Sequence, residues 1–339
     1  MYALGFFGGQ RMIQNEPGMF IGPIATVFGY IIDAIFNVVY GFTVYHSLGL
    51  SIIFLTIIVR TLMLPLAIKQ QKSMMEMQRL NPEISKIRAK YKGKDQAQQM
   101  NAEMQKLYAD NKINPLGGCL PLFIQMPMFF GLSFIMHQSH LYVSRLGNLF
   151  TRISEYLINT VPRDQYILLM NDLAVPLAPD RMIRDGGINL LVVPDVNRVL
   201  NAFGPYEWSA LLSRVPSPYL QSVYSEIMAV QNFMGMALTE NAGLGWPQIM
   251  IPILAVTTAI LTSYIMMAAS IVTDERAKQQ QKMMMVIMPV MMGAMTVGLP
   301  AGVGIFWITS SIYQIGQQLL LNRKMGVQVK WIPWKKSSE

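Results

Sequence analysis

The stretch that most constrains this chain is residues 47–69, SLGLSIIFLTIIVRTLMLPLAIK, in which Arg60 is the one charge before Lys69. A helix crossing the hydrocarbon core of a bilayer needs about 20 apolar residues. An arginine inside such a span costs several kcal/mol, so charges there face a partner or a watery cavity. At about 1.5 Å rise per residue, Arg60 lies roughly 13 Å inside the membrane face marked by Lys69. On the residues alone two readings stay open. Arg60 snorkels to the nearer headgroups, or it sits in a water-filled recess open on the Lys69 side; the rest of the chain favours the recess.

Charged residues make up 14% of the 339 and hydrophobic ones 52%, against about 25% charged in ordinary globular domains. The chain therefore reads as a membrane protein. Its net charge of +8 could suggest nucleic acid, but every lysine falls within 69–112, 278–282 or 324–336. Cationic residues grouped beside apolar spans mark the cytoplasmic side. The single cysteine, Cys119, excludes an internal disulfide. His46, His137 and His140 form no ligand motif, and nothing matches a phosphate-binding glycine loop, a zinc-protease helix or a serine nucleophile elbow. The expectation is a protein without metal, cofactor, small-molecule substrate or covalent catalysis.

Residues 1–46 carry an N-terminal tail without signal-peptide features, then an amphipathic helix. Ile24, Val27, Phe28, Ile31, Ile35, Val38, Val39 and Phe42 repeat at helical spacing, with Thr26, Tyr30, Asp33 and Asn37 on the other side. We place it in the outer interface; as an additional span it would reverse everything downstream, which the lysine distribution disfavours. Residues 47–68 then form the first span, running outside to inside. From 69 to 113 the composition turns polar and basic. Leu80, Ile84, Ile87 and Tyr91 form one stripe, Met100, Met104 and Leu107 another, with KGKD (92–95) as a turn between them. This reads as a cytoplasmic helical hairpin whose lysines suit anionic headgroups or ribosomal RNA.

Residues 114–137 form the second span, with Gln125 polar in its middle. Residues 138–245 are external: the basic residues are arginines balanced by acids, and one amphipathic helix is expected at 219–228. Trp246, a candidate interfacial anchor, opens the third span, 246–272. A cytoplasmic loop at 273–282 leads to the fourth span, 283–299, and a tight external turn to the fifth, 300–321; 322–339 is a basic cytoplasmic tail. The expected fold is thus an all-α membrane protein of five transmembrane helices with an interfacial N-terminal helix and a cytoplasmic helical hairpin.

Thr56 and Arg60 share one face of the first span. Gln125 on the second and a Trp307, Ser311, Gln314 stripe on the fifth add polar atoms at membrane depth. If these faces converge, the space between them is hydrophilic and Arg60 stays charged by being hydrated. A positive recess of this kind attracts acidic or polar peptide tails and lowers the cost of moving them into the bilayer. Met283, Met284, Met285, Met288, Met291, Met292 and Met295 cover several faces of the fourth span. Such side chains suit contact with varied apolar segments; ordinary lipid-facing methionine is the alternative.

The runs IIFLTIIVRTLMLPL (52–66), MQRLNPEISKIRAKYKGK (77–94) and NPLGGCLPLFIQMP (114–127) resemble the YidC family of membrane protein insertases. GWPQIMIPILA (245–255) and LPAGVGIFWITSSIYQIGQQ (299–318) are similar to that family's third and final spans, in the same order. The resemblance implies a five-span core with a hydrophilic groove open to cytoplasm and lipid and closed outside. It puts Arg60 on the family's groove arginine and Thr56, Gln125, Phe306 and Trp307 on groove or substrate-contacting positions, with Gln314 beside them. Ser311 stands where an asparagine is common, and the external segment is longer than usual. The second and fourth spans, with Met126, Met288, Met291 and Met292, correspond to the apolar slide along which a substrate helix leaves. Nascent membrane proteins are the implied substrates, and the Sec translocon and the ribosome are further implied partners. The setting is a bacterial plasma membrane, with the N-terminus outside and the C-terminus in the cytoplasm. The absence of a large periplasmic domain points to a Gram-positive-type member. Against this stand an anion carrier or channel using Arg60 as its ligand site, and a passive scaffold whose hairpin merely docks partners.

Overall fold

The computed structural model describes residues 21–91, 96–111, 120–177, 188–268 and 275–324. The N-terminal tail to residue 20, the KGKD turn, Cys119 and the tail from 325 lie outside the described residues. The chain is mostly helical. In order it forms α1 (Ile21–Phe42), α2 (Ser47–Leu62), α3 (Leu64–Arg79), α4 (Asn81–Lys90), α5 (Ala97–Asp110), α6 (Leu120–His137), α7 (Ser139–Tyr142), α8 (Ser144–Thr160) and α9 (Arg163–Ala174). After these come α10 (Val193–Ala202), α11 (Pro205–Arg214), α12 (Pro218–Gln231), strands β1 (Asn232–Phe233) and β2 (Met236–Ala237), α13 (Met250–Ala268), α14 (Glu275–Val297) and α15 (Ala301–Lys324).

Among the described residues, α1 is long and apolar enough to cross a membrane by itself, and α2 with α3 passes as a pair bent by 54°. The bend falls one residue before Leu64-Pro65. Pro65 lacks the N–H that would bond back to the preceding turn, and its ring is accommodated at a helix start. The loop expected at 273–282 is helical from Glu275. The run ERAKQQQK consists of strong helix formers, so the helix begins well before its apolar part.

Two compact units divide the chain. The first comprises Met1–Thr56, Pro127–Ile253 and Ala294–Trp307. Its core lies in residues 138–245, where the sequence suggests a single helix and the structure has α7 through α12. Leu146, Leu149, Phe150, Ile153 and Leu157 bury one face of α8, the spacing of a helix with one apolar stripe. Two buried asparagines of α10 fix its register. Asn197 accepts from Ser154 Oγ at 2.6 Å and donates to Thr151 Oγ1 at 2.9 Å. Asn201 accepts from Ser139 Oγ at 3.1 Å and donates to the His137 carbonyl at 2.6 Å. Satisfied buried networks of this kind specify one packing over its alternatives.

Helix α1 is tied to these helices by polar contacts. Asp33 Oδ1 accepts from Ser144 N at 2.8 Å and from Ser144 Oγ at 2.9 Å, supplying the N-terminal cap that Val143 cannot give α8. The Tyr40 hydroxyl donates to Glu226 Oε1 at 2.8 Å, and Arg145 lies over the Tyr40 ring at 4.1 Å. Gly147 is required by closeness: a Cβ there would lie 2.5 Å from the His140 carbonyl oxygen.

Past the hairpin, residues 238–243 run along the turn between α14 and α15. Ala242 N donates to the Leu299 carbonyl at 2.9 Å and Gly243 N to that of Val297 at 3.0 Å. In return Ala301 N donates to the Glu240 carbonyl at 2.7 Å and Gly302 N to that of Leu238 at 2.8 Å. The tight turn at Pro300 expected from the sequence is thus held by backbone bonds from residues 238–243.

The second unit comprises Ile57–Met126, Leu254–Gly293 and Ile308–Glu339. It contains the expected hairpin as α4 and α5. Leu80, Ile84 and Ile87 are buried while α5 buries no residue fully. Lys90 Nζ meets Glu103 Oε2 at 2.8 Å across the pair. That contact is solvent-exposed and contributes little to stability.

Candidate functional site

The second unit holds a cavity of about 130 Å³ lined by Arg60 of α2, Gln125 of α6, Gln70 and Gln71 of α3, Gln314 of α15, and further residues of α3, α13 and α15. That is room for several water molecules. Among the described residues that line it, Arg60 is the one charge and there is no carboxylate, thiol or imidazole. Arg60 Nη2 donates to Gln125 Oε1 at 2.8 Å. With the Gln314 amide turned so that its oxygen faces the guanidinium, that oxygen accepts from Nη1 at 2.8 Å and Nη2 at 2.9 Å. Nε is buried and has no hydrogen-bond partner. The guanidinium is therefore held in place by two neutral amides that leave its charge intact.

Neighbouring contacts stiffen the walls. Thr61 Oγ1 donates to the Ile57 carbonyl at 2.7 Å and lies 3.1 Å from the Tyr313 hydroxyl. Thr262 Oγ1 donates to the Thr258 carbonyl at 2.8 Å and lies 3.4 Å from the Ser311 carbonyl oxygen. Gln318 donates to Asn322 Oδ1 at 2.9 Å.

Of the residues singled out in the sequence, Arg60, Gln125 and Gln314 come together here. Ser311 is half-buried and absent from the cavity lining; its carbonyl oxygen lies 3.4 Å from Thr262 Oγ1. Thr56, Phe306 and Trp307 belong to the first unit and are absent from the cavity lining. Thr56 is buried, its hydroxyl donating to the Ile52 carbonyl at 2.6 Å. Phe306 is buried, and Trp307 stacks on Phe129 with ring centroids 5.1 Å apart and planes at 10°. Met126, Met288 and Met291 are exposed and Met292 half-buried.

Gln70, Gln71 and Gln317 also line the cavity and are missed by the sequence reading. Their signal is present, since Arg60, Met63, Ala67 and Gln70 or Gln71 follow helical spacing. Gln70 and Gln71 lie beyond the first lysine, where the chain reads as already out of the membrane; Gln317 lies within the expected fifth span, off the stripe of Trp307, Ser311 and Gln314. Among the described residues no group of His, Cys, Asp and Glu could hold a metal ion. The arrangement can bind and orient.

Residues 39–328 match the family model described as 60Kd inner membrane protein. Relatives named "Membrane protein insertase YidC" include one from Fusobacterium nucleatum, 46% identical over 86 residues, 25% of this chain and 41% of the relative. Another, from Clostridium perfringens, is 42% identical over 116 residues, 33% of this chain and 48% of the relative. A third, from Syntrophobacter fumaroxidans, is 28% identical over 279 residues, 82% of this chain and 35% of the relative. The matched region spans less than half the length of each of these relatives.

Proposed function

The chain belongs to the 60Kd inner membrane protein family, that of the YidC insertases, and on that premise we propose that it receives nascent membrane proteins in the cavity around Arg60 and releases them sideways into the bilayer. It is an integral protein of the bacterial membrane. In this reading the α2–α3 pair, α6, α13, α14 and α15 cross the membrane, and α1 lies in the outer interface. The N-terminus is outside and the C-terminus inside, in keeping with the grouped lysines. The cavity opens to the cytoplasm, where the basic hairpin and tail meet anionic headgroups, ribosomes or substrate. The protein works alone or beside the Sec translocon.

The observation that carries the reading is Arg60, a charge held by amide oxygens with no carboxylate among the described residues of its cavity. At about 4 Å and an effective dielectric of about 20, a substrate carboxylate meeting it gains roughly 4 kcal/mol before its own desolvation is counted. Exposed Met126, Met288 and Met291 support an adaptable surface for the departing apolar helix. The test is insertion of single-span substrates into liposomes carrying the purified protein. Arg60→Ala should slow a substrate with an acidic external tail well beyond its effect on a neutral one. Arg60→Lys should restore part of the difference, because charge survives but the two-amide geometry does not. Equal loss on both substrates would remove the charge from the mechanism.

A further inference from the structure

The hairpin between β1 and β2 turns on two residues, Met234 at φ 52° and Gly235 at φ 85°. Two-residue hairpin turns of this hand favour Asn or Gly at both central positions. A methionine there costs about 1–2 kcal/mol of backbone strain, and its side chain is 73% exposed. Among the described residues His46, at φ 64°, is the other non-glycine residue with positive φ, and it packs on the same hairpin. Its Nδ1 lies 2.9 Å from the Asn232 carbonyl oxygen and its ring meets Phe233 edge-on at 5.6 Å.

Around this hairpin three segments of the first unit bring large apolar side chains to the surface. Phe42 and Tyr45 are exposed just before His46, and Leu244 and Trp246 are 70% and 79% exposed. A Cβ on Gly235 would lie 3.7 Å from Pro247 Cγ, so the hairpin tip adjoins that last segment. The helices α2 and α13 begin directly after these segments, at Ser47 and Met250. They continue the apolar surface with exposed Phe54 and Ile253. No lysine or arginine occurs in 42–49 or 232–249, and Glu240 is the one acid there.

We propose that this collar, Met234 with Phe42, Tyr45, Leu244 and Trp246, is a lipid-binding surface that seats the external segment among the glycerol and upper acyl region of the outer leaflet. Tryptophan and tyrosine concentrate at that depth. The lack of cations excludes binding led by phosphate charge, and continuity with apolar helix ends points to lipid over a soluble protein partner. The strained methionine fits this occupant: apolar contact at the tip offsets a backbone conformation that asparagine would adopt at less cost. The inference shares with the proposed function only the premise that the chain is membrane-embedded, and it does not depend on insertion.

The test uses the full chain with Cys119→Ser, Cys119 being the one native cysteine. A nitroxide is placed at Met234→Cys or at Leu244→Cys, in phosphatidylcholine–phosphatidylglycerol vesicles. A label at Leu168→Cys on α9, where the native side chain is 72% exposed, serves as reference. The collar labels should show a several-fold higher ratio of oxygen to water-soluble nickel-chelate accessibility than the reference. A ratio equal to that of Leu168→Cys at both collar positions overturns the proposal. So does protection from both relaxants with dipolar broadening, which would assign the surface to a second copy of the chain. Insertion measured on the same vesicles separates the two claims. A wet collar with full insertion removes only the collar; a lipid-seated collar without insertion removes only the insertase reading.

Discussion

Protonation of His140 should destabilise the helices packed around it, α7, α8 and α10. It sits in α7, 7% exposed, with its ring edge-on to Phe150 at 6.2 Å, and neither nitrogen makes a hydrogen bond of good geometry. Burial pushes the imidazole down to about 4, with a smaller upward pull from the Asn201 side chain and a further push down from the Arg198 charge. In the unfolded chain the value is about 6.5. The unfolded state therefore binds the proton more tightly, and stability is full above about pH 6.5. It declines as pH falls from there and levels off below about 4. The gap corresponds to roughly 3 kcal/mol, a large fraction of a typical domain's stability. The assay is hydrogen exchange read by mass spectrometry on peptides from α8 and α10, between pH 7.5 and 4 and corrected for intrinsic rates. Protection should drop by roughly two orders of magnitude in the wild type. In His140→Leu, which keeps an apolar group of similar size, the drop should shrink sharply. The same pH profile in both proteins would refute the assignment.

The other outcomes follow from single contacts. Gln314→Glu would set a carboxylate against Arg60 Nη1 and Nη2, so the preference for acidic-tailed substrates should vanish while Gln314→Leu keeps it; liposome insertion compares the two. Gly147→Ala should destabilise the first unit by about 1–3 kcal/mol, since the His140 carbonyl oxygen is backbone and cannot step aside. That exceeds the roughly 1 kcal/mol that alanine contributes to a helix, and thermal unfolding followed at Trp208 would register it.

Much of the cavity was legible in the sequence because a polar residue in an apolar helix is an expensive exception. Arg60, Gln125 and Gln314 stand out on that ground. The bend at Pro65 hid the rest. It lets α3 keep lining the cavity after the chain has turned basic, so Gln70 and Gln71 read as solvated. The external helices were hidden differently. Leu146, Leu149, Phe150, Ile153 and Leu157 do carry the helical period, but α10 and α11 are short. Asn197 and Asn201, which bind α10 to its neighbours, look in sequence like surface residues. The hairpin was invisible because Met-Gly lacks the Asn-Gly signature of its turn.

The amides around Arg60 resolve a conflict that a carboxylate could not. A buried guanidinium without acceptors would be costly, and pairing it with Asp or Glu would leave little positive potential for a substrate. Gln125 and Gln314 each offer a neutral oxygen at hydrogen-bond distance. They fix the fork's direction while leaving the net charge, and Nε stays uncommitted. The remaining glutamines of the lining can donate as well as accept. In the proposed function, passing peptide groups of any sequence would find partners on the walls while only acidic ones would gain from the centre. A site of this construction would bind many chains weakly and release each, as the proposed function requires.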